Sequence, residues 1–265
     1  MVKGLYTAYT GMVNEQKRLD VLSNNLANAD TNGYKKEGTT SQTFADELAI
    51  RIKDTSHFGM RKNLGVMSMG VHIGETYTDY SQGNYKVTDN QTDFAINGNG
   101  FFAISYTDKA GNTSVKYTRD GAFIVNTQGY LVTKDGDFVL NQNGASNSDP
   151  NARIQVNPNL PVVVTGDGNI YQNDELVGNI GLADFADYNY IAKFGENLYD
   201  TVDGAELIET DAVIDQGCLE ASNVNVVSEM VNMITISRAY QAGQKVMNSI
   251  DQTLDKAVNQ VGRVQ

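Results

Sequence analysis

Outside its 32 Asp and Glu, few side chains in this 265-residue chain invite a metal or a nucleophile: two histidines, His57 and His72, and one cysteine, Cys218. Neither histidine lies at a metal-ligand spacing from the other or from Cys218, so no zinc site is expected. Asp135 with Asp137, and Asp167 with Asn169, resemble the opening of a calcium loop. The ligand series that should run on to a closing Glu is missing, and Gly136 and Gly168 make hairpin turns the simpler reading. A glycosidase needs two carboxylates whose environments separate their pKa values. In a chain this rich in acids some pair falls at a suitable separation without design, so abundance alone supports no enzyme. No G-x-S-x-G or phosphate-loop motif is present, and Gly98 and Gly100 precede a strand pattern where a nucleotide fingerprint requires a helix. The expectation is therefore no catalytic residue, metal, cofactor or small-molecule substrate. A secreted β-domain cell-wall glycosidase stands as the alternative from another class, and peptidoglycan turnover would reveal it.

Charge and cysteine content narrow the partners. The formal net charge of −12 argues against nucleic acid, because phosphate binding needs clustered Lys and Arg. Residues 1–52 carry six acidic and six basic side chains and residues 219–265 four of each, so the whole excess lies between them. Neutral ends can be crowded together in many copies, whereas an acidic middle is better kept in solvent. A single cysteine excludes an internal disulfide framework. The opening residues run straight into amphipathic sequence with no apolar signal region, so export without a cleaved signal peptide is expected.

The elements that must position these residues are helical at both ends. In the C-terminal segment Val226, Met233, Tyr240, Met247, Leu254 and Val261 share one heptad position, and Ile236, Gly243, Ile250 and Ala257 follow three residues later. In the N-terminal segment Leu5, Met12, Leu19 and Leu26 recur at the same interval, with Ala8 and Leu22 beside them and Glu15 as the polar exception. Such seams call for a partner helix, and each end is the other's natural partner. The pattern predicts a helix over 4–29, broken by Asp30-Thr31-Asn32-Gly33, and a second helix capped at its start by Asn225. The longer C-terminal stripe, about 50 Å against about 30 Å, predicts an unmatched overhang that seeks neighbouring subunits.

Phe44, Leu48 and Ile52, four apart, suggest a short amphipathic helix within an otherwise extended or partly mobile connector over 36–74. From 75 to 218, short β-prone runs alternate with turn residues, as in an all-β domain. Phe94-Ala95-Ile96, Asn97-Gly98-Asn99-Gly100 and Phe101 to Ile104 read as a hairpin. Further runs, Ala122–Val125, Tyr130–Thr133, Phe138–Leu140, Val162–Thr165 and Asn169–Tyr171, are separated by Gly-containing turns. The fold class is thus α+β: discontinuous terminal helices, 1–35 and 219–265, pairing as a coiled coil, with a central β-domain expected to fold alone.

Ser23-Asn24-Asn25-Leu26-Ala27-Asn28-Ala29-Asp30-Thr31-Asn32-Gly33-Tyr34-Lys35 closely resembles the N-terminal signature of bacterial flagellar rod and hook proteins. Leu219-Glu220-Ala221-Ser222-Asn223-Val224-Asn225-Val226-Val227, continuing through Met230, Met233, Arg238 and Tyr240, is similar to that family's C-terminal signature. Asp93 to Phe102 and Tyr117-Thr118-Arg119-Asp120-Gly121-Ala122-Phe123 are similar to segments of the rod proteins' β-domain. The resemblance spans nearly the whole chain, with Cys218 standing where the family more usually has Tyr, Phe or Ala. It implies an axial structural subunit of the flagellar basal-body rod, the drive shaft between motor and hook. Such a subunit is exported by the flagellar type III apparatus and builds a tube from its paired terminal helices. Its partners would be copies of itself and other rod and hook proteins.

The short length favours a rod over a hook protein, and the tail is most similar to the distal-rod type, with the proximal-rod type as alternative. The resemblance assigns assembly roles to Asn24, Asn25, Asn28, Gly33, Tyr34, Asn223 and Asn225 in the signatures. Met230 is a further assembly residue of the C-terminal signature. Leu5, Met12, Leu19, Leu22, Leu26, Val226, Met233, Ile236, Tyr240, Met247, Ile250 and Leu254 lie on the seams, where Met233, Tyr240, Met247 and Leu254 are expected to pack against Leu19, Leu22 and Leu26, and Arg238 is the candidate for a polar contact between subunits.

Overall fold

The computed structural model describes residues 2–44, 47–50, 63–147, 149–195, 197–208 and 210–261; His57 and Ile52 lie outside them. Backbone contacts divide the chain into two compact units, each assembled from non-contiguous segments. One joins the two ends with residues 36–79, and the other joins residues 28–35 with Tyr80–Val224.

In the first unit, α1 (Val2–Ala27) packs on α3 (Val226–Lys256), with a shorter helix, α2 (Gln142–Asn147), lying between them in sequence. Neither long helix contains proline or any run of β-branched residues that spans its length, so nothing interrupts the i→i−4 ladder. The start of α3 is fixed by Asn225, whose side-chain oxygen accepts the Ser228 backbone N–H at 3.0 Å. Past α1 the chain turns at Asn28–Gly33, where Gly33 adopts φ of 66°.

Heptad spacing identifies the packed face of α3. Met233, Tyr240, Gly243, Met247, Ile250 and Leu254 are half-buried and Ile236 is buried, while most positions between them are exposed. On α1, Leu5, Met12, Leu19, Leu22 and Leu26 are all half-buried. A methyl placed on Gly4 would sit 3.8 Å from Ile250 Cδ1, and one on Gly243 would sit 2.7 Å from Met12 Cγ, so the helices run antiparallel.

That register corrects two expectations. At 1.5 Å per residue, Val2 lies level with about residue 253 and Ala27 with about residue 228. The helices, of 26 and 31 residues, therefore match along most of their length. The second continues past Lys256 as a π-helical segment, Ala257–Val261, so residues 254–261, about 12 Å, run beyond the level of Val2: the overhang is present but shorter than expected. Met233 falls opposite the Leu22 region as expected. Met247 and Leu254 fall instead opposite the first turns of α1, because antiparallel packing carries the C-terminal end of α3 away from Leu19 and Leu26.

Residues 36–79 contribute strands to this unit, where the sequence reading had a separate connector. Here β1 (Glu37–Thr43) pairs antiparallel with β4 (Val71–Thr78) and packs on α1, and β2 (Glu47–Ile50) pairs with β3 (Asn63–Met67). Leu48 thus lies in a strand and not in a short helix: the four-residue spacing was too brief to outweigh pairing with a second β-prone run. Among the described residues no helix is long and apolar enough to cross a membrane.

The second unit is mainly antiparallel sheet. Its central strand, β7 (Phe101–Thr107), pairs with β8 (Thr113–Thr118), with Phe138–Val139 and with Leu182–Phe185, and a strand at Leu198–Thr201 extends the sheet beyond β8. One apolar cluster gathers Phe94, Ile96, Phe102, Phe123, Leu131 and Val139, and a second, on the other face of β7, gathers Phe101, Ala103, Tyr117, Leu140, Phe185 and Tyr199. Alternation along β7 explains the split, since Phe101 and Phe102 point to opposite faces.

The meander through Ile124–Val125, Leu131–Val132 and Phe138–Val139 follows the turns expected at Gly129 and Gly136, and Val163–Val164 pairs with Asn169–Gln172 across Gly168. The hairpin expected across Asn97–Gly100 does not form. Between β5 (Tyr85–Val87) and β7, the strand β6 (Phe94–Asn97) pairs with Val213–Gln216 instead. Gly98 and Gly100, at φ of 117° and 128°, pass the chain from one ladder to another.

Candidate assembly surfaces and a buried ionic clasp

The asparagines of the N-terminal signature have separate tasks. Asn25 is fully buried on the last turns of α1, where its amide donates to the Glu37 carbonyl at 2.8 Å and accepts the Glu37 N–H at 3.0 Å. It pairs with the first residue of β1 as a neighbouring strand would, fixing β1 to α1. Further along α1, buried Asn14 exchanges hydrogen bonds with Ser41 on the same strand. Asn24 is exposed. Asn28 accepts at its side chain from the Thr31 hydroxyl at 3.1 Å and at its carbonyl from the Thr31 N–H, shaping the turn in the second unit.

Gly33 is required there twice over: its φ is positive, and a methyl on it would lie 2.4 Å from the Arg119 carbonyl carbon. Its N–H donates to the Glu220 carbonyl at 2.8 Å. Tyr34 is buried, with Lys193 Nζ 4.0 Å from its ring centre.

Those contacts lead to a feature that sequence reasoning missed. Lys35, Arg119 and Glu220 are all buried, and Glu220 holds both cations: Lys35 Nζ lies 2.7 Å from Oε1 and Arg119 Nη1 lies 3.1 Å from Oε2. The Gly83 N–H also donates to Oε1 at 2.8 Å. Lys35 gives a second hydrogen bond to the Ser81 carbonyl, Arg119 one to the Gly98 carbonyl, and Asn223 also donates to the Ser81 carbonyl. One buried carboxylate therefore ties the N-terminal signature, the Tyr117–Phe123 segment and the C-terminal signature together. All three residues stood inside the quoted motifs. Nothing local in them signals burial, since Lys, Arg and Glu ordinarily lie at the surface.

Next to this clasp, burial pushes the Asp120 carboxyl above its usual range, opposed by the Ala122 N–H it accepts and by Lys134. The Tyr85 hydroxyl is likewise raised, first by burial and then by Glu220 and Asp215. In the first unit, Glu229, buried in the first turn of α3, lies 2.6 Å from Lys36 Nζ. A carboxylate there meets the positive end of the helix dipole, which offsets part of its desolvation.

The remaining assembly candidates are spread over the surface of α3. Val226, Met230 and Arg238 are exposed, and Arg238 joins none of the ion pairs among the described residues. After α1 is in place, Val227, Val231 and Ile234 are also exposed. Cys218 is free and half-buried in the strand Cys218–Glu220, which pairs with β5.

Comparison with known proteins gives the family. Residues 5–35 match the family described as flagella basal body rod protein, residues 95–172 the flagellar hook protein FlgE/F/G D1 domain, and residues 215–261 the flagellar basal body rod FlgEFG protein C-terminal. The chain is 35% identical over 266 residues to the flagellar basal-body rod protein FlgF of Caulobacter vibrioides, covering 100% of each. It is 33% identical to the flagellar basal-body rod protein FlgG of Buchnera aphidicola subsp. Acyrthosiphon pisum, over 97% of this chain and 98% of the relative. To the flagellar hook-basal body complex protein FlhO of Bacillus subtilis it is 30% identical over 100% of both chains. The clasp residues Lys35 and Glu220 each fall inside a matched terminal segment, and the chain belongs to the flagellar basal-body rod family, as a structural subunit and not an enzyme.

Proposed function

We propose that copies of this chain assemble head to tail through the helical unit into an open helical shaft, of the distal-rod type, that transmits torque from motor to hook. The observation that carries this is the apolar surface left on α3 after α1 has packed: Val227, Met230, Val231 and Ile234 stay exposed on a segment without net charge. Each large apolar side chain left in water forgoes about 1.5 to 3 kcal/mol of burial, which a neighbouring subunit would recover. Contacts that join different surfaces of like subunits give filaments when the rotation between them does not close.

Within one copy, α1 and α3 pair as an antiparallel coiled coil through Leu5, Met12, Leu19, Leu22 and Leu26 against Met233, Ile236, Tyr240, Met247, Ile250 and Leu254. Asn25, Asn28, Gly33, Tyr34, Asn223 and Asn225 hold the subunit in its assembling shape. Asn24, Val226, Met230 and Arg238 face other copies.

The distal-rod assignment rests on the tail residues, since overall identities to relatives named FlgF and FlgG, 35% and 33%, do not separate the types. Export through the flagellar type III apparatus, and contact with other rod and hook proteins, rest on the resemblance of both terminal segments. Immunogold labelling of isolated basal bodies tests the proposal. Label along the distal part of the rod is the expected result; label confined to the hook, or absent from basal bodies, would refute it.

A further inference from the structure

On one flank of the α1–α3 pair, Gly4, Thr7, Ala8, Gly11, Met12 and Glu15 of α1 face Ala239, Gly243 and Val246 of α3 across an open, mostly apolar groove of about 520 Å³. A methyl placed on Gly11 would meet nothing within 4 Å, so the groove has room for side chains that this subunit does not supply. Its only charged lining residue, Glu15, is already paired with Arg18 at 3.1 Å.

The ridge of α3 lies elsewhere on the same helix. Val227, Met230, Val231 and Ile234 are 72%, 47%, 57% and 53% exposed and carry no charge. At about 100° per residue they centre roughly 140° around the α3 axis from Ala239, Gly243 and Val246. Bulky apolar side chains thus stand on the face of α3 turned away from α1, and a vacant apolar groove lies beside α1. That is the pairing a heterologous contact needs, because one subunit can then offer its ridge while receiving another's.

We infer that the ridge Val227–Ile234 of one copy seats in the groove beside Gly11 and Gly243 of a second copy, deepening the assembly proposed above, on which this inference rests. The geometry fixes a further property. Ridge and groove centres are about 12 residues apart along α3, so copies oriented alike are displaced by roughly 18 Å along the helix axis at each contact. A contact with a built-in axial step cannot close into a flat ring; it generates a rising array.

Cysteine pairs test this in a Cys218→Ser background, in cells whose only copy is the altered one. Val231→Cys combined with Gly11→Cys should give chains joined to their own kind on mild oxidation of purified basal bodies. Gln252→Cys combined with Gly11→Cys, on the polar continuation of the ridge flank, should not. Ile234→Asp, at an exposed position, should leave the circular dichroism of the purified protein unchanged and reduce its incorporation at least tenfold.

Cross-linking by both pairs alike, absence of cross-links in incorporated chains, a cross-link to a different protein, or normal incorporation of Ile234→Asp would each overturn the inference. Loss of the unmodified protein from basal bodies would instead refute the rod assignment itself, so the two failures are distinguishable.

Discussion

Replacing Glu220 with glutamine probes the clasp directly. The wild-type carboxylate offsets two buried cations, Lys35 at 2.7 Å and Arg119 at 3.1 Å, and accepts the Gly83 N–H. Glutamine keeps the shape but removes the charge, leaving two like charges buried without compensation. Breaking a buried ion pair by removing one partner costs about 3 to 5 kcal/mol, against a usual total stability of about 5 to 15. With a urea dependence of about 2 kcal/mol per molar, the unfolding midpoint should fall by roughly 1.5 to 2.5 M. The near-ultraviolet tyrosine signal is a suitable readout: the chain has 14 Tyr and no Trp, and Tyr34, Tyr117 and Tyr199 are buried in the same unit as the clasp. Lys35→Met, which leaves a balanced Arg119–Glu220 pair, should cost less than Glu220→Gln. If Glu220→Gln shifted the midpoint by less than about 0.3 M, the claim that this carboxylate holds the unit together would be wrong.

The same clasp reverses the expectation that the central β-domain folds alone: a fragment of residues 75–217 should not fold, because it buries Arg119 without Glu220 or Lys35. Residues 28–35 joined by a short linker to residues 80–224, the two segments of the second unit, should give a soluble folded monomer by light scattering and circular dichroism, and equal behaviour of the two fragments would contradict this. Asn25→Ala should destabilise the helical unit by about 1 to 3 kcal/mol, since the Glu37 N–H and carbonyl lose their partner; faster amide exchange along β1 should reveal it. Burial raises the Asp120 pKa above its ordinary 3.8. Its favourable contribution is therefore fully present below that value and lost as pH rises through the raised one. Asp120→Asn, whose amide oxygen can still accept the Ala122 N–H, should unfold at least as late as wild type in urea at pH 7 and lose any advantage at pH 3.

The sequence by itself determined what repeats locally. Heptad spacing marked the packed face of α3 from Met233 to Leu254, although Val226 at the same heptad position is exposed; Asn225 was legible as a cap, and Gly-containing turns located the meander strands. Each of these depends on a few neighbouring residues and on backbone geometry that is the same in any protein. The terminal and central motifs likewise carried the family. What only the tertiary structure decided is which distant segments meet. Packing of α1 along most of α3 shortened the expected overhang and left apolar surface on the face of α3 turned away from α1. The run after Asn97 left β6 to pair with Val213–Gln216, and residues 36–79 became strands beside α1. Lys35, Arg119 and Glu220 read as ordinary surface charges until the fold brings them together, because burial belongs to the assembled chain, where water is excluded by residues up to 185 positions away.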